Sequence, residues 1–505
     1  MNNRRPPRKL VLLLVAQLVL AACNATAHSP LPPGSWPEPK PTQWPAPVPM
    51  PVARTVPNFQ APSAPHCARP LQTREVPGMY AEQATSRRDL RDRMAKSAPA
   101  IAEDAGTGAR AWAPAAPAAR AESGRGMADA ARESLASSAH PMPPPMYPSP
   151  QPQQQQQAPT HGPVTAGVVD DNADFTSYLG FRNRTRVQHR ARDIRERYLL
   201  EVKDARGRGI ADAEVAVQGS SGHAMWARTD AAGQVWLHPN AFDPSRSQQY
   251  DVAVRKDGRQ SFGRLTRGQK SAVEVVLDAR AAEPRARLDL VFLVDATGSM
   301  ADEIDKLKTT LRSISAEVSR LPSQPDLCFG LVAYRDKTDA FLLRSHDLTN
   351  DLDGFLRGAL GPLQAAGGGD YPEAMNEALH DTVHNISWRG DGATRMVVLL
   401  ADAPPHLDYG GPQYDDDMVA ALGKGIKVFG VGASGLDKQG EFIQRQIAQY
   451  TGGQFVFLTY ANAHDPASGP GRETVHDVKN YSVDTLDRLI VRLVAQELGK
   501  LARGS

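Results

Sequence analysis

Three stretches of this sequence place oxygen-bearing side chains just beyond apolar runs or in a glycine-rich loop. Asp295-Ala296-Thr297-Gly298-Ser299 follows the run Leu288–Val294, which is broken only by Asp289. Asp402 follows the apolar residues Met396–Leu400, and Gly367-Gly368-Gly369-Asp370-Tyr371-Pro372-Glu373 precedes an amphipathic segment. Carboxylates and hydroxyls in such positions suit a hard dication, which takes oxygen ligands in near-octahedral geometry and keeps some of its water. The acids and hydroxyls of these three stretches are therefore candidate ligands for a metal ion. The expected ion is Mg²⁺, with Mn²⁺ or Ca²⁺ as variants. Three carboxylates around a dication leave the site formally anionic, which weakens its pull on an acidic group arriving from a partner. No nucleophile–base pair or phosphate-binding loop is evident, so no catalytic residue is assigned.

These side chains need a scaffold that brings several strand ends together. Short apolar strands at Leu288–Val294, Phe329–Tyr334, Met396–Leu400, Ile426–Val431 and Gln454–Leu458 alternate with helical patterns. Ile304, Leu307, Leu311, Ile314 and Val318 recur at helical spacing, and further helices are expected over Pro372–Asn385, Asp416–Gly423, Lys438–Tyr450 and Val483–Leu501. Continuous apolar strands alternating with helices predict an α/β fold with a doubly wound, mostly parallel sheet, whose ligand site lies at the carboxyl ends of its strands. Gly430-Val431-Gly432-Ala433-Ser434-Gly435 fits a dinucleotide fingerprint, but no acid follows the next strand to hold a ribose, so it reads as a loop. Asp415-Asp416-Asp417 reads as acid stabilising a helix N-terminus, and His406 as a structural histidine.

The motifs resemble a von Willebrand factor type A domain over about 285–503. Asp295-x-Thr297-x-Ser299 is similar to the first segment of that family's metal-ion-dependent adhesion site, and Leu399-Leu400-Ala401-Asp402 to its distal Asp. The loop Gly367–Glu373, with Asp402-Ala403-Pro404-Pro405-His406, resembles a subset that includes hemicentin-like and some kinase-linked members and departs from the commoner middle Thr. The resemblance implies a Rossmann-like fold, a divalent metal held by Asp295, Thr297, Ser299, Asp370 and Asp402, with Glu373 as the alternative to Asp370, and binding of a protein ligand.

The remainder has a different character. Arg4, Arg5, Arg8 and Lys9 precede an apolar run to Ala22 that is too short to span a bilayer. Leu20-Ala21-Ala22-Cys23 resembles a bacterial lipoprotein signal, which implies a signal peptide over 1–22, acylation of Cys23 and a lipid anchor in the cell envelope; Asn24 favours the outer membrane. Residues 23–166, loaded with Pro, Ala and Gln, read as a mostly disordered tether. From 167 to 282 the period falls to two, and the stretches Val202–Val215 and Arg228–Val235 resemble carboxypeptidase regulatory-like and other Ig-like domains, implying a small all-β sandwich. The type A domain is expected over 284–503. Asp170, Asn172 and Asp174 begin like a calcium loop, but Phe175 stands where a sharp turn needs Gly. Secretion permits a disulfide between Cys67 and Cys328; the alternative is two free thiols, with Cys328 packed as a small apolar residue.

Lys and Arg number 58 against 56 Asp and Glu in 505 residues, a balance that argues against a nucleic-acid binder. Three cysteines exclude a disulfide-stapled scaffold. The sequence therefore reads as a lipid-anchored envelope protein, not an enzyme, that binds a protein ligand through a metal. Two alternatives are a divalent-metal hydrolase using the same carboxylates and a structural protein that contacts anionic polymer through the Arg-rich stretch Arg182–Arg197.

Overall fold

A computed structural model describes residues 67, 72–79, 163–279, 286–369, 371–390, 392–408 and 410–503. Cys23, the signal run, most of the Pro-rich stretch and Asp370 lie outside the described residues.

Five parallel strands form the middle of the main sheet: β10 (Arg287–Asp295), β11 (Asp326–Tyr334), β13 (Ala393–Ala401), β14 (Ile426–Gly432) and β15 (Phe455–Asn462). Their spatial order is β11-β10-β13-β14-β15, with neighbours parallel throughout. β10 is buried at every residue after Arg287, as a strand covered on both faces requires. Helices α2 (Ala301–Ser319) and α6 (Leu486–Arg503) share a core with Phe292, Val294 and Leu400. Helices α3 (Met375–Asn385), α4 (Tyr414–Gly423) and α5 (Lys438–Thr451) share another with Val291, Leu293 and Leu399 on the opposite face. The alternating side chains of one strand thus serve two helical layers.

The edges of the sheet are antiparallel. β12 (Phe341–Thr349) pairs with β11, and β1 (Thr73–Pro77) pairs with β12. On the other side β2 (Thr165–Val169) pairs with β15, and β16 (Val483–Thr485) pairs with β2. β1 and β2 differ from the sequence expectation, which put 73–77 in the tether and counted 167 as the start of the sandwich. An edge strand needs an open row of backbone partners more than an apolar face of its own, so Thr-Arg-Glu-Val-Pro can serve. A disulfide joins Cys67 to Cys328 of β11, with α-carbons 6.1 Å apart, and Arg74 forms an ion pair with Asp381 of α3.

Two smaller sheets occupy most of the stretch read as a sandwich. β3 (Tyr198–Lys203), β6 (Gln234–Leu237) and β9 (Val273–Val276) form a three-stranded sheet in the order β6-β3-β9. β4 (Glu214–Gly219), β5 (Ala224–Arg228), β7 (Gln249–Lys256) and β8 (Arg259–Thr266) form a four-stranded one in the order β5-β4-β7-β8. Leu200 and Val235 from the first, with Val217 and Val252 from the second, belong to one buried cluster. Ahead of them α1 (Phe175–Arg184) packs Phe181 on Phe442 of α5, with ring centroids 5.8 Å apart.

The suspected calcium loop is a helix entry. Asp170 accepts from the amides of Asn172 and Ala173, each at 2.9 Å, and Asp174 caps α1 through Ser177 N. Much of the Arg-rich stretch is engaged internally. Arg192 contacts Asp415 at 2.9 Å and Asp416 at 2.5 Å, and the Arg197 guanidinium lies 3.7 Å and 3.9 Å from the ring centroids of Phe175 and Trp236.

Asp289, the one break in the apolar run of β10, is fully buried against Arg389. Arg389 donates through Nε to Asp289 Oδ1 at 2.5 Å and through its amide to Oδ2 at 2.7 Å, and its guanidinium reaches Asp326 Oδ2 at 2.7 Å. Burial pushes the Asp289 carboxyl up, and Arg389 opposes that push. Removing one partner of a buried pair leaves an uncompensated charge and costs about 3–5 kcal/mol, whereas removing both with apolar side chains is far milder. Urea unfolding should show a loss of about that size for Arg389→Leu and a substantially smaller one for Asp289→Leu/Arg389→Leu.

Candidate metal centre

Because β11, β10 and β13 are adjacent and parallel, their carboxyl ends meet at one edge of the sheet. β10 ends in Asp295, in register with Tyr334 at the end of β11, and Asp402 follows the last residue of β13. Asp295 Oδ1 accepts from the Thr297 amide at 3.0 Å and from the Thr297 hydroxyl at 2.7 Å. The hydroxyls of Thr297 and Ser299 lie 3.2 Å apart, and Ser299 also hydrogen-bonds Asp402. A single turn over Gly298–Met300 leads directly into α2.

The glycine-rich loop is stitched to this segment through backbone groups. Gly298 N donates to Gly367 O at 3.0 Å, and Ala366 N to Ala296 O at 3.1 Å. Gly367 and Gly368 have φ of +80° and +69°, conformations that suit glycine. A β-carbon on Gly368 would stand 3.1 Å from Glu373 Oε1 and 3.2 Å from Thr297 Cβ, so loop, hydroxyl ligand and Glu373 converge. Glu373 is buried, its amide donates to Pro404 O at 3.1 Å, and it forms a bridge with Pro405 just beyond Asp402. Arg335 braces the same turn by donating from Nε to Ala296 O at 3.1 Å.

Asp295, Thr297 and Asp402 are buried together, while Ser299 and the glycines of the loop are exposed and form the rim. Asp370 lies outside the described residues; Glu373, its alternative, is brought to Thr297. Sequence reasoning missed Tyr334, whose phenol neighbours Asp295, and Glu303, whose carboxylate raises Asp402. Glu303 stands four residues after Ser299, a helical spacing that was the available signal. His406 is engaged at 3.3 Å with Asp336 and 3.4 Å with Asp408.

Burial, followed by the charge of Asp402, pushes the Asp295 carboxyl up to about 7. Burial, opposed by the Ser299 hydrogen bond and assisted by Glu303, also raises Asp402. Tyr334 is driven well above its ordinary value by burial and by the Asp295 charge. Asp295 Oδ2 and Asp402 Oδ1 are buried and make no hydrogen bond of ordinary geometry. Two buried carboxylate oxygens with no well-formed hydrogen bond, beside two hydroxyls, form an all-oxygen set that fits a hard dication.

Free of cation, this arrangement has a definite pH dependence. A carboxyl raised from 3.8 to about 7 retains a proton in the fold that the unfolded chain has already released, so stability falls as pH rises through that window. Asp295→Asn removes the titration. In EDTA, the urea midpoint of Asp295→Asn relative to wild type should rise between pH 5 and pH 8, and a constant difference would contradict the assignment.

Residues 289–405 match the family of the von Willebrand factor A domain. The alpha-protein kinase vwkA of Dictyostelium discoideum is 30% identical over 139 residues, which cover 27% of this chain and 22% of the kinase. A putative ariadne-like RING finger protein of Acanthamoeba polyphaga mimivirus is 34% identical over 128 residues, 24% of this chain and 12% of that protein. The chain thus spans less than a quarter of either relative. Among solved structures, the pilus adhesin SpaC of Lactobacillus rhamnosus GG in its open conformation overlaps 41% of this chain and 31% of its own, at 15% identity and a TM-score of 0.24. A second crystal form of that adhesin gives 14% identity and a TM-score of 0.25. The segment from Asp289 to Pro405, which carries Asp295, Thr297, Ser299, Glu373 and Asp402, is a von Willebrand factor A domain.

Proposed function

We propose that the A domain binds a divalent cation, foremost Mg²⁺, and captures a protein ligand through it. The ligands would be Asp295, Thr297, Ser299 and Asp402, with Asp370 or Glu373 as the third carboxylate. The observation that carries this reading is the pair of buried oxygens Asp295 Oδ2 and Asp402 Oδ1, which make no hydrogen bond of ordinary geometry. A bound cation would neutralise the acids and offer an open position to an oxygen of the partner. Tyr371, half exposed beside the glycine loop, supplies an aromatic surface at the rim of the kind that anchors protein partners. The reading is of a binding module and not an enzyme, and it assigns His406 a structural role between Asp336 and Asp408.

In this reading Cys23 carries a lipid that anchors the chain in the bacterial envelope, at the outer membrane. The two small sheets act as an Ig-like, carboxypeptidase regulatory-like spacer docked on the A domain. Asp212 supports that docking: it contacts Arg395 of β13 at 2.9 Å and accepts from Gly392 N at 2.6 Å.

The test uses the full chain, because β1 and β2 come from outside the matched segment. At Mg²⁺ concentrations about a hundredfold above Kd, ligand linkage should add about 2.7 kcal/mol to wild-type stability. The Asp295→Ala/Asp402→Ala variant should gain nothing, and capture of a partner from envelope extract should be lost in EDTA. An equal response of both proteins to Mg²⁺ would remove the metal site. Capture that survives EDTA but collapses as salt rises would favour the Arg-rich stretch. Metal-dependent phosphoesterase or peptidase activity abolished by Asp402→Ala would replace the binding module with a hydrolase.

A further inference from the structure

On the helical layer formed by α3 and α4, away from the strand-end acids, two imidazoles and a carboxylate converge. His380 and His384 stand four residues apart on α3, which places them on one face. Asp417 projects from the first turn of α4. His380 Nδ1 lies 2.9 Å and His384 Nε2 3.0 Å from the same oxygen, Asp417 Oδ1. The two rings are 4.4 Å apart between centroids, and one ligand atom from each of the three residues lies within 4.8 Å of the others.

Several features point to a cation and not merely to a hydrogen-bonded pair of rings. Asp417 is fully buried, yet its second oxygen, Oδ2, has no hydrogen-bond partner. A helix normally uses acid in its first turn to complement its own N-terminus, and Asp415 and Asp416 of the same turn instead meet Arg192. Asp417 faces the imidazoles. The His side chains retain 29% and 34% exposure, so an ion has a route from solvent and room for water in an open position. A tetrahedral zinc with bonds of about 2.0–2.1 Å separates its ligand atoms by about 3.3 Å. The observed separations from Asp417 Oδ1 are only a few tenths of an ångström shorter.

The donor set also selects the ion. Two imidazole nitrogens and one carboxylate suit zinc and its transition-metal neighbours, while Mg²⁺ prefers oxygen throughout. The neighbouring charges are Asp416, which interacts with Asp417, and Lys424, whose ammonium donates to Val383 O at 2.7 Å. We propose that His380, His384 and Asp417 form a binding site for one zinc-class cation, with solvent completing its coordination. Such an ion would join α3, which begins just after Glu373, to α4, and would be separate from the Mg²⁺ site proposed above.

Equilibrium dialysis of the full chain with Zn²⁺ alone as the probe tests the site, with Co²⁺ absorption as a report of nitrogen ligation. Wild type and Asp295→Ala/Asp402→Ala should each bind one tight zinc, and Co²⁺ should give visible bands of low-coordinate type. His380→Ala and His384→Ala should each weaken binding at least about a hundredfold, the upper end of what losing even an outer-shell partner costs. Far-UV circular dichroism checks that these partly exposed substitutions leave the fold intact, and His384→Gln serves if an alanine variant does not fold. Zinc binding unchanged in the histidine variants, lost only with Asp295 and Asp402, or missing from wild type would overturn the proposal.

Discussion

Asp295 and Asp402 repel each other in a low-dielectric setting, and the surrounding loops hold them in place despite that cost. Parallel strands buried on both faces end at a common edge, so the acids that follow β10 and β13 are forced into proximity by the sheet itself. The hydroxyls of Thr297 and Ser299 and the backbone stitches to Gly367 offset part of the repulsion. They leave one oxygen on each acid with no hydrogen bond of ordinary geometry. Buried polar groups are ordinarily satisfied, which makes these two atoms the defining constraint of the site.

β10 offers an internal comparison. It carries two buried aspartates six positions apart, one near its start and one at its end. Asp289 is matched by the amide and guanidinium of Arg389, and its charge is confined to the fold. Asp295 meets the amide and hydroxyl of Thr297 and the charge of Asp402 instead. Within one strand, the same residue type serves as a structural ion pair at one end and as a reserve of uncompensated charge at the other. The burial is alike and the partners are not.

Much of the main sheet and its helices was legible because buried parallel strands are written as continuous apolar runs. The helices over 375–385, 414–423 and 438–451 lie close to where their periodicity placed them. β12 was not legible: Arg344, Ser345, His346 and Asp347 interrupt its apolar pattern. Those polar residues find partners far away in the chain, as when Ser345 bonds Asp381 and Asp347 accepts from Ser387 N. β8 was hidden likewise, with Phe262 exposed and Gly263 in its middle. At the site, the aspartates and hydroxyls stood in local motifs and could be read directly. Tyr334 and Glu303 act across elements, where spacing in the sequence carries little signal.

The disulfide and the two upstream strands change how the chain would carry tension. A Pro-rich stretch in series between an anchor and a domain acts as a leash. Here the chain is bonded at Cys67 to β11, lays β1 on one edge of the sheet and returns as β2 near the other. Force applied on the N-terminal side of Cys67 therefore has a route into β11 that bypasses β1 and β2. A pull there enters the fold through a covalent bond to β11, the strand beside β10, and is not spent on peeling an edge strand away.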